Sequence, residues 1–193
     1  MNKKYSIMFS LVAVAALSAG LLTTSLDQKE TIRVGSSLPA YPLDYLAENT
    51  PFAIKGKVVE FQKVPISYDV AGIPNVMTDV VIEVQKDLSG QYTDKTITLR
   101  IQGGETEDAI HVYEGTPEFV LGEKVLVLVA DKAPKSIYGD NYYIAGMVYG
   151  KYSLDNGDAK NHDSNRNMSE KSLEEKIKKA KQPKIDKSKD KVK

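Results

Sequence analysis

The sequence predicts a mainly β fold, a small antiparallel barrel of five strands, and three observations carry that prediction. The stretch PEFVLGEKVLVLVA, Pro117–Ala130, launches from a turn at Gly122 into a strand apolar on both faces, as strands in the middle of a closed or two-layered sheet are. Elsewhere apolar and polar residues alternate with a period of two, which turns one face inward and leaves the other wet. The segments between are rich in Gly, Pro, Asn and Asp and recur at the spacing of all-β folds.

The chain opens with Asn2, Lys3 and Lys4, followed by an almost uninterrupted apolar run from Ile7 to Leu22. A basic flank, a run shorter than the about 20 residues of a spanning helix, and small residues around Ser18–Gly20 and Thr23–Ser25 read as a signal helix over residues 1–25. A retained membrane anchor is the alternative. There is no Cys, which removes cysteine lipidation, disulfides, thiol chemistry and cysteine-held metals. Residues 26–51 read as a linker, because Pro39, Pro42 and Pro51 interrupt regular structure. One helical turn is expected there, at Leu43, Tyr45 and Leu46, begun after Pro42 and stopped by Asn49, Thr50 and Pro51.

From Phe52 the β pattern sets in, and the barrel is expected over residues 52–157. The first strand is Phe52–Val64, bent at Gly56. The second, Thr78–Gln85, alternates Val80, Ile82 and Val84 with Asp79 and Glu83. After a turn at Ser89 and Gly90 the third, Lys95–Gln102, points Ile97, Leu99 and Ile101 inward and Thr96, Thr98 and Arg100 outward. Gly103 and Gly104 stop it, and an acidic loop leads into a short excursion at Ile110–Tyr113. The fourth strand is Lys124–Ala130. The fifth is expected as one run from Asn141 to Leu154, bent at Gly146 and Gly150 and ended by the turn Asp155, Asn156, Gly157.

Five curved strands with glycines at the corners, and a break between the third and fourth, resemble the OB-like barrel, with a β-sandwich as the alternative. Residues 158–193 read as a polar linker, a basic helix and a disordered tail. Ser172 and Glu175 have the spacing of a capping box, and Glu174 with Lys178 and Glu175 with Lys179 stand in the favourable i, i+4 order. A helix is therefore expected over Ser169–Gln182, stopped by Pro183. Its apolar stripe, Leu173, Ile177 and Ala180, is thin, so the helix is expected to be marginal in isolation, with Lys184–Lys193 disordered.

In their order, FAIKGKVVE, TDVVIEVQKDLSG, ITLRIQGG, PEFVLGEKVLVLV and YYIAGMVYGKYSL are similar to the pattern of an uncharacterised family of exported bacterial small β-barrel domains, over Tyr41–Leu154. That resemblance implies a small barrel. It brings no activity with it and transfers no site residue.

Motifs that would carry chemistry are scarce. The two histidines, His111 and His162, accompany no nucleophile motif and form no pair at helical spacing, so no catalytic residue, metal ligand or cofactor is assigned. Gly103-Gly104 lacks the further glycines or the Gly-Lys-Ser/Thr of a phosphate loop. Asp163, Asn165, Asn167, Ser169 and Glu174 fall at the spacing of a calcium loop, but Met168 occupies the place of its turn glycine.

Net charge is zero and unevenly distributed: Met168–Lys193 holds ten Lys against five acids, which leaves an acidic body. An acidic body opposes a phosphate backbone and excludes nucleic acid as the expected partner. The expected function is a non-enzymatic extracytoplasmic binding module. A membrane-anchored structural or stress accessory protein is the alternative, and a hydrolase the least favoured. Arg100, Tyr143 and Tyr149 are the candidate ligand residues of the barrel face, for a cell-surface protein, peptide or glycan. Lys176, Lys178, Lys179 and Lys181 are the candidates for an anionic lipid or wall polymer. The protein is expected to be exported, secreted or tethered to the outer face of the cytoplasmic membrane.

Overall fold

A computed structural model describes residues 29–35 and 38–182, so the signal segment 1–25 and the tail Lys184–Lys193 lie outside the described residues. The elements in chain order are β1 (Glu30–Val34), α1 (Leu43–Asn49), β2 (Phe52–Lys63), β3 (Ser67–Tyr68), β4 (Pro74–Asn75), β5 (Met77–Asp87), β6 (Thr96–Gln102), β7 (Gly104–Glu105), β8 (Ala109–Tyr113), β9 (Lys124–Ala130) and β10 (Tyr143–Ile144). A 3-10 turn, Met147–Gly150, precedes β11 (Lys151–Asp155) and β12 (Asp158–Lys160), and a second, Ser164–Arg166, precedes β13 (Met168–Ser169) and α2 (Glu170–Ala180). The protein is mainly β. Among the described residues no helix is long and apolar enough to cross a membrane.

The main sheet runs β13-β12-β11-β9-β2-β5-β6, with β10 also paired to β9. β9 lies at its centre for the reason its composition gives: Val125, Leu126, Val127, Leu128 and Val129 are all fully buried. Leu126 and Leu128 enter a core shared with the helices, through Leu46, Ala47, Leu173 and Ile177. Val125, Val127 and Val129 enter a second core between strands, with Ile54, Val80, Ile82, Ile97 and Leu99. A strand with period-two geometry can serve two cores only when it is apolar at every position.

β2 is bent where Gly56 was expected to bend it. The β2–β5 register slips between Lys55 and Gly56, and a Cβ at Gly56 would stand 2.3 Å from the Glu83 carbonyl oxygen, so the strands approach too closely there for any side chain. The hairpin between β11 and β12 turns on Asn156 and Gly157, both at positive φ (48° and 87°), the arrangement that matches strand twist.

Four expectations are corrected. Among the described residues no closed barrel is found: the sheet is open, and β6 meets the β10 side at one parallel bridge, Leu99 to Tyr142, where the Arg100 N–H donates to the Tyr142 carbonyl at 2.8 Å. The single fifth strand is broken in two, because Gly146 and Met147 take positive φ and wind the chain into the 3-10 turn, leaving β10 and β11 on separate stretches of β9. The segment taken as a linker contributes a strand, β1, which pairs in parallel with β8 in a small sheet of order β1-β8-β7. The polar stretch after Gly157 adds β12 and β13 to the main sheet.

The helical turn expected after Pro42 is α1, which runs to Asn49 and buries Leu46 and Ala47. The basic helix is α2, capped by Ser169, whose hydroxyl accepts the Ser172 N–H, rather than by Ser172. Its thin stripe is enough: Leu173 and Ile177 are fully buried, and burying two such side chains contributes about 3–6 kcal/mol. Lys55 and Lys86 on the sheet hold it through Glu174, and Lys55 also reaches Glu170. The Lys86 hydrogen bond, outweighing burial, keeps the Glu174 carboxyl below the usual range.

Candidate functional site

A concavity of about 800 Å³ opens between the small sheet and the β11–β12 end of the main sheet. Strand alternation builds one wall. Tyr152 and Leu154 of β11 point into the core, so Lys151 and Ser153 must point the other way, into the cleft. The 3-10 turn adds Tyr149, the small sheet adds Tyr113 and Arg33, the end of β12 adds Lys160, and the chain after it adds Asn161 and His162.

Asn161 organises this floor and is itself buried. Its Nδ2 group is within bonding distance of the carbonyls of Val148, Tyr149 and Lys151, at 3.2, 3.2 and 2.8 Å, while its backbone N–H donates to Asn167 Oδ1. One side chain thus ties the 3-10 turn to β11 and fixes where Tyr149 stands. Arg166 lies over the Tyr149 ring, its Cζ 4.3 Å from the centroid, and orients it further.

At the strand wall, Lys151 Nζ is 2.6 Å from Glu123 Oε1, 3.0 Å from Ser153 Oγ and 2.8 Å from the Glu118 carbonyl, and it lies over the Phe119 ring. Ser153 Oγ donates to the same Glu123 oxygen at 2.6 Å. A serine beside a lysine suggests a nucleophile and its base, but a base needs a free amine lone pair. This amine is committed to a carboxylate and a carbonyl, so the group is a fixed polar patch. Arg33 and Lys160 bring positive charge to the rim and Glu114 and Glu118 negative charge. Thr116 adds a buried hydroxyl with no hydrogen-bond partner among the described residues.

Of the three residues expected to share a ligand face, only Tyr149 lines this cleft. Arg100 lines a smaller neighbouring pocket with Thr116, Pro117 and Tyr138, and is bound to Asp79 by two bonds, Nε to Oδ1 at 2.8 Å and Nη2 to Oδ2 at 2.7 Å. Tyr143 stacks on Tyr138, rings parallel and 4.5 Å apart. Arg100 and Tyr143 lie near each other, through the Arg100 N–H to the Tyr142 carbonyl, but Tyr149 does not share a pocket with them. Of the lysines, Lys176, Lys178 and Lys179 are exposed on α2, with Lys178 3.6 Å from Glu174. Lys181 is different: its ammonium caps the Thr50 carbonyl at 2.7 Å, and burial pushes its pKa down.

His111 is buried in β8 with its backbone paired to β1 and β7, whereas His162 opens on the cleft. The residues at calcium-loop spacing are used locally. Asp163 accepts from Asn165 N–H and pairs with Arg166, Asn167 holds Asn161, Ser169 caps α2, and Glu174 binds lysines. Sequence reading missed Lys151, Ser153 and Asn161. The alternation of KYSLD around the buried Tyr152 was the available signal for the first two, and nothing in a polar run distinguishes Asn161 from its neighbours. Compared with known proteins, the chain matches no family model and no curated relative.

Proposed function

We propose that this protein is a non-enzymatic extracytoplasmic binding module that takes its ligand in the cleft between β8 and β11. The observation that carries the reading is the pre-fixed constellation of Tyr149, Lys151 and Ser153, whose positions are set by Asn161, Glu123 and Arg166 before any ligand arrives, with His162 on the same cleft. A concavity of this size, with aromatic rings and a few convergent polar groups, suits a short glycan or peptide segment. Pre-fixed side chains lower the ordering cost of binding. The Lys151–Glu123 pairing favours binding over catalysis.

The strand order β9–β2–β5–β6, with β10 paired to β9 and bridged to β6, supports reading the β core as an opened OB-like barrel. The basic flank and apolar run at Lys3–Leu22 support export. Three exposed lysines on α2, Lys176, Lys178 and Lys179, support a weak attraction to an anionic envelope surface, and the pairing of Lys181 with Thr50 removes it from that role.

The test is a ¹⁵N NMR titration of the full chain with neutral oligosaccharides, acidic oligosaccharides and short acidic peptides. Saturable shifts at Tyr149, Lys151 and His162 for one class, weakened about tenfold or more by Tyr149→Ala, are expected. The reading is overturned if no class saturates, or if the shifts lie elsewhere and Tyr149→Ala leaves them unchanged.

A further inference from the structure

We propose a second binding site, for an oxyanion, in the pocket between the start of α1 and the middle of α2. The pocket has a volume of about 320 Å³, and Leu43, Asp44, Tyr152, Asn165, Arg166 and Lys176 line it. It backs onto the cleft, since Arg166 walls this pocket while stacking on Tyr149, which walls the other.

Tyr152 is what makes the pocket unusual. The residue is fully buried, and its hydroxyl has no hydrogen-bond partner among the described residues. A buried hydroxyl without a partner is costly, and native structures rarely leave one so. Burial pushes the phenol pKa up, which Arg166 opposes and the Asp163 charge reinforces, so the group stays protonated and can donate. Arg166 and Asp163 are therefore within electrostatic reach of it, although no hydrogen bond of proper geometry joins Tyr152 to Arg166.

Arg166 is held in place with donors to spare. Its Nη1 donates to the Tyr41 carbonyl at 2.7 Å and its Nε to Asp163 Oδ2 at 3.3 Å, while Nη2 has no partner among the described residues. Lys176, exposed on α2, makes no ion pair among the described residues. A phenol O–H, the guanidinium Nη2 and an ammonium are all donors without an acceptor among the described residues, and an oxyanion supplies several acceptors at once. Asp44 is the opposing charge on the rim, and Asp163 is spent on Arg166 and the Asn165 N–H. The net field is thus modest, and recognition rests on fixed donors. Carboxylate and phosphate share this chemistry.

The experiment is an NMR titration of the full chain with sodium phosphate and, separately, sodium glucuronate, at constant ionic strength set by sodium chloride. Saturable shifts at the Arg166 Nε–H and at the Tyr152 and Lys176 amides are expected with at least one anion. Saturation by phosphate alone assigns a phosphate-bearing ligand, and saturation by glucuronate alone assigns an acidic sugar. Tyr152→Phe removes one hydroxyl and is expected to weaken binding about tenfold or more. Lys176→Gln, at an exposed position, is expected to weaken it as well and serves if the phenylalanine variant does not fold. The proposal is overturned if neither anion saturates, if chloride gives the same shifts, or if a folded Tyr152→Phe titrates like the parent. Lys176, on α2, lines this pocket and not the cleft, so the shift at its amide and the Lys176→Gln variant separate failure here from failure of the cleft reading.

Discussion

Asp79 and Arg100 stand directly opposite each other on β5 and β6 and close a two-point salt bridge across the register, at 2.8 and 2.7 Å. The hydrogen bond to Asp79 raises the Arg100 pKa against the opposing effect of burial. Both side chains are largely shielded, so removing one strands the other. Asp79→Ala is expected to cost about 1–3 kcal/mol in urea unfolding. The Asp79→Leu, Arg100→Met double variant is expected to recover most of that loss. Equal and additive losses in the two single variants would show that the pair is not coupled.

Asp87, at the end of β5, gathers the loop that follows. Its carboxylate accepts the N–H groups of Ala53, Ser89, Gln91 and Tyr92, at 3.2, 3.0, 2.8 and 2.9 Å, and the Ser89 hydroxyl. Burial pushes its pKa up, but these donors overcome it and leave the value below the ordinary one. A lowered folded pKa stabilises fully above the unfolded value of about 4 and is lost as pH falls through the lower folded value. Asp87→Asn is expected to cost about 1–3 kcal/mol at pH 7 and to flatten the decline in stability below pH 4. Thermal unfolding of both proteins between pH 2 and pH 7 checks this, and parallel curves would refute it.

A cut after Gln182 spares every described element of the basic C-terminal region. Deleting from Met168 removes β13 and α2, and with them Leu173 and Ile177 from the core, so loss of surface adhesion after that cut would report unfolding. Deleting 183–193 is expected to leave the unfolding midpoint unchanged, whereas Leu173→Ala is expected to cost about 2–5 kcal/mol. Circular dichroism melts of the two proteins separate these outcomes. A destabilised 183–193 deletion would mean that the tail packs on the body.

How much could be read in advance depended on how far each feature is local. β9 announced itself because a strand serving two cores has no polar position, and the Asn156-Gly157 hairpin because only a few residues accept its backbone. β12 and β13 escaped notice because strands of two or three residues are too short to carry a pattern of their own and are held by register with a neighbour. The fifth strand failed where positive φ at Met147, a residue that rarely adopts it, broke a run rich in β-formers. Arg100 was rightly read as pointing away from the core. What alternation could not say is that Asp79 would be its cross-strand partner, since register belongs to the sheet. For the site, Tyr149 was legible as an aromatic beside glycines, but the groups that fix it come from Asn161 and Arg166, placed by the hairpin and the second 3-10 turn.

The meeting of α1 with α2 sets an order of events for the chain. Every member of the strand-lined core lies between Ile54 and Ile144, so that half is complete once β10 has been made. The helix-lined core needs Leu46 and Ala47 from one end and Leu173 and Ile177 from the other, and Lys181 closes it on Thr50. Contacts this distant in sequence form late. A growing polypeptide therefore holds a finished half and an unfinished one until its last helix arrives, and Leu126 and Leu128 stay uncovered on that side for the interval. Premature termination between β10 and α2 leaves a half-folded species with an apolar face, which is the form that chaperones and proteases meet first.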